Sequence, residues 1–187
     1  MRRWVRAVLA TALVVVGAAR AEAAERTEIH YAPQEDLEAV DVALIDNAEY
    51  SIDMAAYVLS DRRVIEALAE AADRDVSIRL YLDKSQFAQH GPSAGGPIEA
   101  LLALPNVFAR VKGLGALMHL KAYAVDRRVL RTGSGNFSRQ GLSNQDNDLI
   151  VVENQAAVQA FEANFDRIWA RAQNAQALLA RERGGPR

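Results

Sequence analysis

The hydrophobic pattern of this chain changes period repeatedly, and that alternation limits the folds open to it. Ile29-His30-Tyr31 reads as a short strand stopped by Pro33. Leu37, Val40, Leu44, Ile45 and Ala48 then recur at helical spacing, with acidic residues early, where the helix dipole favours them. Residues 51–58 alternate, with Ile52, Met54 and Ala56 set against Ser51, Asp53 and Ala55. Ser60 is the expected cap of a helix carrying Val64, Ile65, Leu68 and Ala72 on one face. Residues 76–82 alternate as a strand, and 84–97 read as a loop broken by Gly91-Pro92 and Gly95-Gly96. A short helix through Ile98, Leu101 and Leu102 ends near Pro105. Further strands are expected at 107–111, 117–125, 129–132 and 149–152. A last helix runs from a cap at Asn154 through Val158, Phe161, Phe165, Ile168 and Trp169. Strands alternating with helices predict an α/β fold, a mixed β-sheet sandwiched by helices. No internal repeat or low-complexity linker divides it.

One stretch concentrates chemistry. His119-Leu120-Lys121-Ala122-Tyr123-Ala124-Val125-Asp126 is followed by Gly133-Ser134-Gly135-Asn136. Alternate residues of a strand face the same side, so His119 and Lys121 project together. The glycines permit close backbone approach, and Ser134 and Asn136 add neutral donors. Imidazole, ammonium, hydroxyl and amide describe a phosphate pocket that works without a metal or other cofactor. Imidazole can attack phosphorus and split a phosphodiester displacement into two easier steps. A second group must protonate the leaving oxygen. The motif occurs once, and neither His30 nor His90 sits in a comparable setting. A two-fold homodimer that brings His119 of each subunit together supplies the missing acid.

The rest of the composition narrows the class. The 187 residues contain no cysteine, so there is no disulfide framework, thiolate nucleophile or thiolate metal site. Arg2, Arg3 and Arg6 precede an apolar run from 7 to 19, and Ala21-Glu22-Ala23 offers small residues at signal-peptidase spacing. This is the layout of a secretory signal peptide at 1–23, which makes the mature protein secreted or periplasmic, without stable membrane insertion. The domain then spans 24–180 and a flexible tail 181–187. Removing 1–23 takes four arginines and one glutamate from 22 basic and 24 acidic residues, leaving a formal charge of −5. Polyanion binding must therefore rest on a local patch. Arg110, Lys112, Arg127, Arg128, Arg131 and Arg139 surround the motif and can form such a funnel, although solvated charge beside turns is the simpler reading of each. Tyr57 and Phe137 are expected in the core rather than stacked on a base.

The pattern His-x-Lys, four residues, Asp, six residues, Gly-Ser-x-Asn resembles the HKD motif of the phospholipase D superfamily. The chain is similar to that superfamily's small secreted bacterial endonucleases, which carry one such motif per chain and act as homodimers. Tyr31-Ala32-Pro33, the segment Ser51-Ile52-Asp53-Met54-Ala55-Ala56-Tyr57 and the strand ending at Asp83 share the likeness. The resemblance implies His119 as nucleophile and, from the second subunit, as general acid. It implies Lys121, Ser134 and Asn136 as phosphate ligands and Asp126 as a motif residue with a structural task. The subgroup orients its histidine with the acid of an Asn-x-Glu-Asn segment. Here the match is Asn144-Gln145-Asp146-Asn147, one methylene shorter, which points to Asp146 with Asp148 as fallback. The implied activity is metal-independent hydrolysis of nucleic acid, DNA first and RNA by the same chemistry. A phospholipase D-type enzyme on phospholipid is the alternative, and a non-catalytic dimeric binding module is a third reading.

Overall fold

The computed structural model describes residues 25–113 and 115–176. The segment read as a signal peptide and the tail at 181–187 lie outside the described residues. The elements in chain order are β1 (Arg26–Ala32), α1 (Leu37–Asp46), β2 (Ser51–Ala56), α2 (Arg62–Asp73), β3 (Ser77–Leu82), α3 (Lys84–His90), α4 (Pro97–Leu102), β4 (Val107–Val111), β5 (Lys121–Val125), β6 (Val129–Gly133), a π-helical turn (Gln140–Asn144), β7 (Asn147–Glu153), α5 (Gln155–Trp169) and β8 (Ala175–Gln176). They form one eight-stranded sheet in the order β1-β7-β6-β5-β2-β3-β4-β8. β2, β3 and β4 run parallel, and the remaining pairings are antiparallel. The mixed, helix-flanked sheet is the architecture the alternation predicts.

The two faces are packed differently. Ile52, Met54, Ile78, Leu80, Tyr123 and Val125 point to the side covered by α1, α2 and α4. There Leu37, Ile45, Val64, Leu68 and Leu101 complete the main core. The opposite face carries small residues, Ala55, Ala122 and Ala124, which let α5 settle close through Val158, Phe165 and Ile168. β2 is therefore buried on both faces, as a central strand must be. That is why Asp53 is buried despite its place in an alternating pattern.

Three local expectations change. The cap of α2 is Asp61, whose carboxylate accepts from the Val64 N–H at 3.2 Å; the Ser60 N–H is spent on the carbonyl of Phe137. Residues 84–90 are helical rather than looped, because Asp83 caps them through the N–H groups of Ser85 and Gln86. The strand expected from 117 begins only at Lys121.

Beneath α5 lies a group of charges. Arg79 forms an ion pair with Asp53 and reaches Asp166 at 2.9 Å, with its guanidinium 5.0 Å from the Phe165 ring centre. Glu162 has one carboxylate oxygen buried without a hydrogen-bond partner among the described residues, 3.9 Å from Arg127. Burial, then the neighbouring Asp53 carboxyl, push Glu162 from 4.5 up to about 7, against the pull of Arg127 and Arg79. A raised carboxyl binds its proton better in the folded state. Its contribution is thus complete below 4.5 and lost as pH rises through about 7. Solvent screening limits it to about 1 kcal/mol. Urea unfolding at pH 5 and pH 8 should show this loss in the native sequence and not in Glu162→Gln. Equal pH dependence in both would remove Glu162 as its source.

Candidate active site

The carboxyl ends of the parallel strands β2 and β3 meet the start of β5 at one end of the central strands. Open α/β sheets place ligands at such carboxyl ends. Lys121 is paired with Ala56, and the N–H of Tyr57 donates to the carbonyl of Leu120 at 2.8 Å, so the chain before β5 runs alongside Tyr57. Met118 fixes the approach. Its side chain is buried with Ala55, Tyr81 and Phe165, and its N–H donates to Asp83 at 2.9 Å. Burial opposes the charge on Asp83, but the Ser85 hydroxyl and the N–H groups of Met118, Gln86 and Ser85 outweigh it and hold that carboxyl below the usual range.

His119 and Lys121 converge as the spacing predicts, although His119 precedes the strand. The His119 ring lies 4.5 Å from the Tyr57 ring, centre to centre. The Lys121 ammonium lies 4.9 Å from the same ring and donates to the His119 carbonyl at 2.9 Å. Tyr57 is thus half-buried beneath both groups rather than in the core, whereas Phe137 is fully buried as expected. Among the described residues the exposed His119 ring has no hydrogen-bond partner. Burial, then the charge of Arg131, lower the Lys121 ammonium from its ordinary value.

The second wall is the loop after β6. Gly133 has φ +139°, and a Cβ there would meet the carbonyl oxygen of Asp148 at 2.4 Å, so only glycine fits. The N–H groups of Ser134 and Gly135 both turn to that carbonyl at 3.2 Å. The Ser134 hydroxyl donates to Asn147 at 3.0 Å and accepts from the N–H of Asp148 at 3.0 Å. Donating to a phosphoryl oxygen requires turning that hydroxyl away from Asn147. Asn136 has its carboxamide oxygen buried without a partner among the described residues. The nitrogen end of the amide is the one left to donate to a ligand.

The two acids read from the downstream loop diverge. Asp148 is committed to Ser134, whose N–H donates to its carboxylate at 3.0 Å, and hydrogen bonding to Ser134, first among several causes, lowers that carboxyl. Asp146 is exposed in the bend before β7. Neither hydrogen-bonds His119 among the described residues.

Asp126 sits at the far end of β5 from Lys121. It and Arg127, with φ 52° and 54°, are the central pair of the hairpin turn to β6, closed by the Arg128 N–H on the Val125 carbonyl. Its carboxylate accepts from the N–H groups of Glu49, Tyr50 and Ser51 at 2.9, 2.7 and 2.8 Å. These bonds tie the hairpin turn to the chain before β2. Asp126→Ala is expected to lower stability by about 2–3 kcal/mol and leave turnover within twofold of normal. A large fall in turnover without loss of stability would return Asp126 to the reacting groups.

The basic funnel is corrected in part. Arg131 is fully buried and cannot meet solvent. Arg110 is spent on Trp169, and Lys112 donates to the carbonyl of Leu117. Arg128 and Arg139 are exposed and make no ion pair among the described residues. Two open grooves remain. One, 410 Å³, is lined by Asp83, Lys84, Lys112 and Leu117 and abuts the chain just before His119. The other, 560 Å³, sets Arg62, Arg63 and Arg139 among Asp36, Glu38 and Asp61, beside the loop that carries Asn136.

Comparison with known proteins gives consistent results. The family described as cardiolipin synthase, PLD-like domain, matches residues 42–169. Human mitochondrial cardiolipin hydrolase is 30% identical over 122 residues, covering 65% of this chain and 46% of that protein. Phospholipase D of Rickettsia conorii is 28% identical over 121 residues, covering 65% and 58%. The chain therefore spans about half the length of these relatives. Among solved structures, Nuc of Salmonella typhimurium, a phospholipase D family member, superposes with a TM-score of 0.72 at 21% identity, over 82% of this chain and 98% of that one. NucT from Helicobacter pylori gives 0.72 at 18% identity, over 82% and 99%.

Proposed function

The chain belongs to the phospholipase D superfamily, and from that membership we propose that it is a secreted phosphodiesterase acting on nucleic acid as a homodimer. The observation that carries the reading is the convergence on Tyr57 of the Lys121 ammonium and the exposed His119 ring, which has no hydrogen-bond partner among the described residues, with Lys121 joined through Arg131 to the Ser134–Asn136 loop. A ring nitrogen of His119 attacks phosphorus, and the P–O bond to the leaving group breaks as the P–N bond forms. Protonated His119 of the second subunit gives its proton to the leaving oxygen, then as a base takes one from water. That water attacks phosphorus, the P–N bond breaks and His119 is free again. Lys121 and the amide of Asn136 hold the non-bridging oxygens, where negative charge accumulates. Asp146, the uncommitted acid of its loop, is the proposed orienter of the imidazole. No divalent metal is needed in this scheme.

Nucleic acid is favoured because open grooves border the chain before His119 and the loop that carries Asn136, room that a strand running past the scissile phosphate would use. The first sets Lys84 and Lys112 beside Asp83, and the second holds Arg139, free of ion pairs among the described residues, amid three acids and two further arginines. The lipid reading has its own support. Leu117 and Leu120, 57% and 39% exposed, flank His119 and would suit acyl chains, and the human relative is named for cardiolipin. The test is parallel turnover, in EDTA, of plasmid DNA and of cardiolipin vesicles. Faster cleavage of plasmid supports the nuclease, and vesicle hydrolysis without plasmid cleavage replaces it with the lipid enzyme.

A further inference from the structure

The β5–β6 ladder stops at the pair Tyr123–Arg131, two residues short of Lys121 on one strand and of Gly133 on the other. Neighbouring ladders do not stop. β2 stays paired with β5 to Lys121, and β7 stays paired with β6 to Gly133. The sheet therefore splits between β5 and β6 at the end that holds the reacting groups. Lys121 stands on one lip of the split and the Ser134–Asn136 loop leaves from the other.

One side chain bridges the lips. Arg131 is fully buried, and its Nη1 donates to the carbonyl of Lys121 at 2.9 Å and to that of Gly135 at 3.2 Å. Its Nε and Nη2 donate to the two oxygens of Asp41 at 2.8 and 2.9 Å. Asp41, on α1, is equally buried and also accepts from the Tyr123 hydroxyl at 2.9 Å. The ring of Phe137 lies 4.5 Å from the guanidinium carbon. The guanidinium is thus held from its back by a carboxylate and from its face by an aromatic ring. Its remaining N–H groups fix two carbonyls that belong to opposite walls of the site.

A buried ion pair is weak evidence for stability, since apolar residues of similar volume often serve as well. Its four-bond geometry is more demanding, because only a planar fork can serve a carboxylate and two carbonyls at once. We propose that Arg131, anchored by Asp41, is a positioning residue that sets the distance between Lys121 and the Ser134–Asn136 loop, and hence the width of the phosphate site. The proposal rests on reading the His119 site as that of a phosphodiesterase. Arg131 touches no substrate. It acts by holding the backbone from which Lys121 and Asn136 reach the phosphate. Its positive charge is also one cause of the lowered Lys121 ammonium.

Two variants test this. Arg131→Lys keeps the charge opposite Asp41 but cannot serve both carbonyls. The double variant Arg131→Met with Asp41→Leu replaces the pair with apolar volume. Turnover number, KM on plasmid DNA, thermal unfolding and the affinity of inorganic phosphate by NMR titration are measured for each. Folded variants are expected to lose kcat by about tenfold to a hundredfold with KM little changed, because remote contacts to a polymer persist while the reacting geometry does not. Phosphate should bind at least about tenfold more weakly. A folded variant with normal kcat and phosphate affinity overturns the proposal. Failure of both variants to fold also overturns it, assigning the pair to the architecture of the sheet. A native protein that neither cleaves phosphodiesters nor binds phosphate instead removes the phosphodiesterase reading beneath it.

Discussion

His119→Ala is expected to lower phosphodiester turnover by more than about 10⁴-fold, the combined loss of a nucleophile and a general acid. Stability should stay within about 0.5 kcal/mol, because the ring is exposed and makes no hydrogen bond among the described residues. The substitution carries more information when subunits are mixed. If one imidazole attacks and its two-fold mate protonates the leaving group, a hybrid dimer holds half of each reaction and none of a complete one. Adding excess His119→Ala chains that exchange with the native chains should then extinguish activity well beyond simple dilution. Activity that falls only in proportion to the native fraction would mean that each chain works alone, and the two-histidine scheme would be abandoned.

The largest loss of stability is expected from Asp41→Ala. It strips the buried Arg131 of its counter-charge and the Tyr123 hydroxyl of its acceptor. Breaking a buried pair on one side costs about 3–5 kcal/mol, because the remaining charge stays out of water without compensation. For a domain of this size that is a fall in Tm of about 6–20 °C. The apolar replacement of both residues removes the uncompensated charge and is expected to be milder, short of full recovery because the carbonyls of Lys121 and Gly135 and the Tyr123 hydroxyl lose their partners. If Asp41→Ala melts like the native protein, the pair is not buried in solution as it is in this structure.

Much of the fold was legible because its periodic segments are long. α2 and α5 carry apolar residues at helical spacing over three turns or more, and β3 alternates cleanly. α3 was hidden because it is seven residues long with Phe87 its main apolar contact to the core, and it is defined by a cap rather than by a pattern. β8, two exposed residues pairing with Arg110 and Val111, leaves no periodic trace. In the candidate site, the short spacing of His119, Lys121, Ser134 and Asn136 is enough to bring them to one end of the sheet, because one hairpin and the residues just before and after it carry all four.

The supporting residues come from elsewhere in the chain. Tyr57 lies at the end of β2 and Asp83 at the end of β3, and contact with His119 or Met118 follows only once those strands stand beside β5. Arg131 was grouped with exposed charges for the same reason. An arginine is buried only when it is paired, and its partner lies 90 residues away on α1.

The most direct test of the account is a single turnover of a radiolabelled oligonucleotide in EDTA. It is quenched in alkaline detergent and followed by mapping of any label left on the protein. The account predicts cleavage without divalent metal and a phosphoryl adduct on the peptide that contains His119, absent in His119→Ala. Cleavage that needs added metal, or that proceeds in EDTA with no adduct on that peptide at any time, would contradict it.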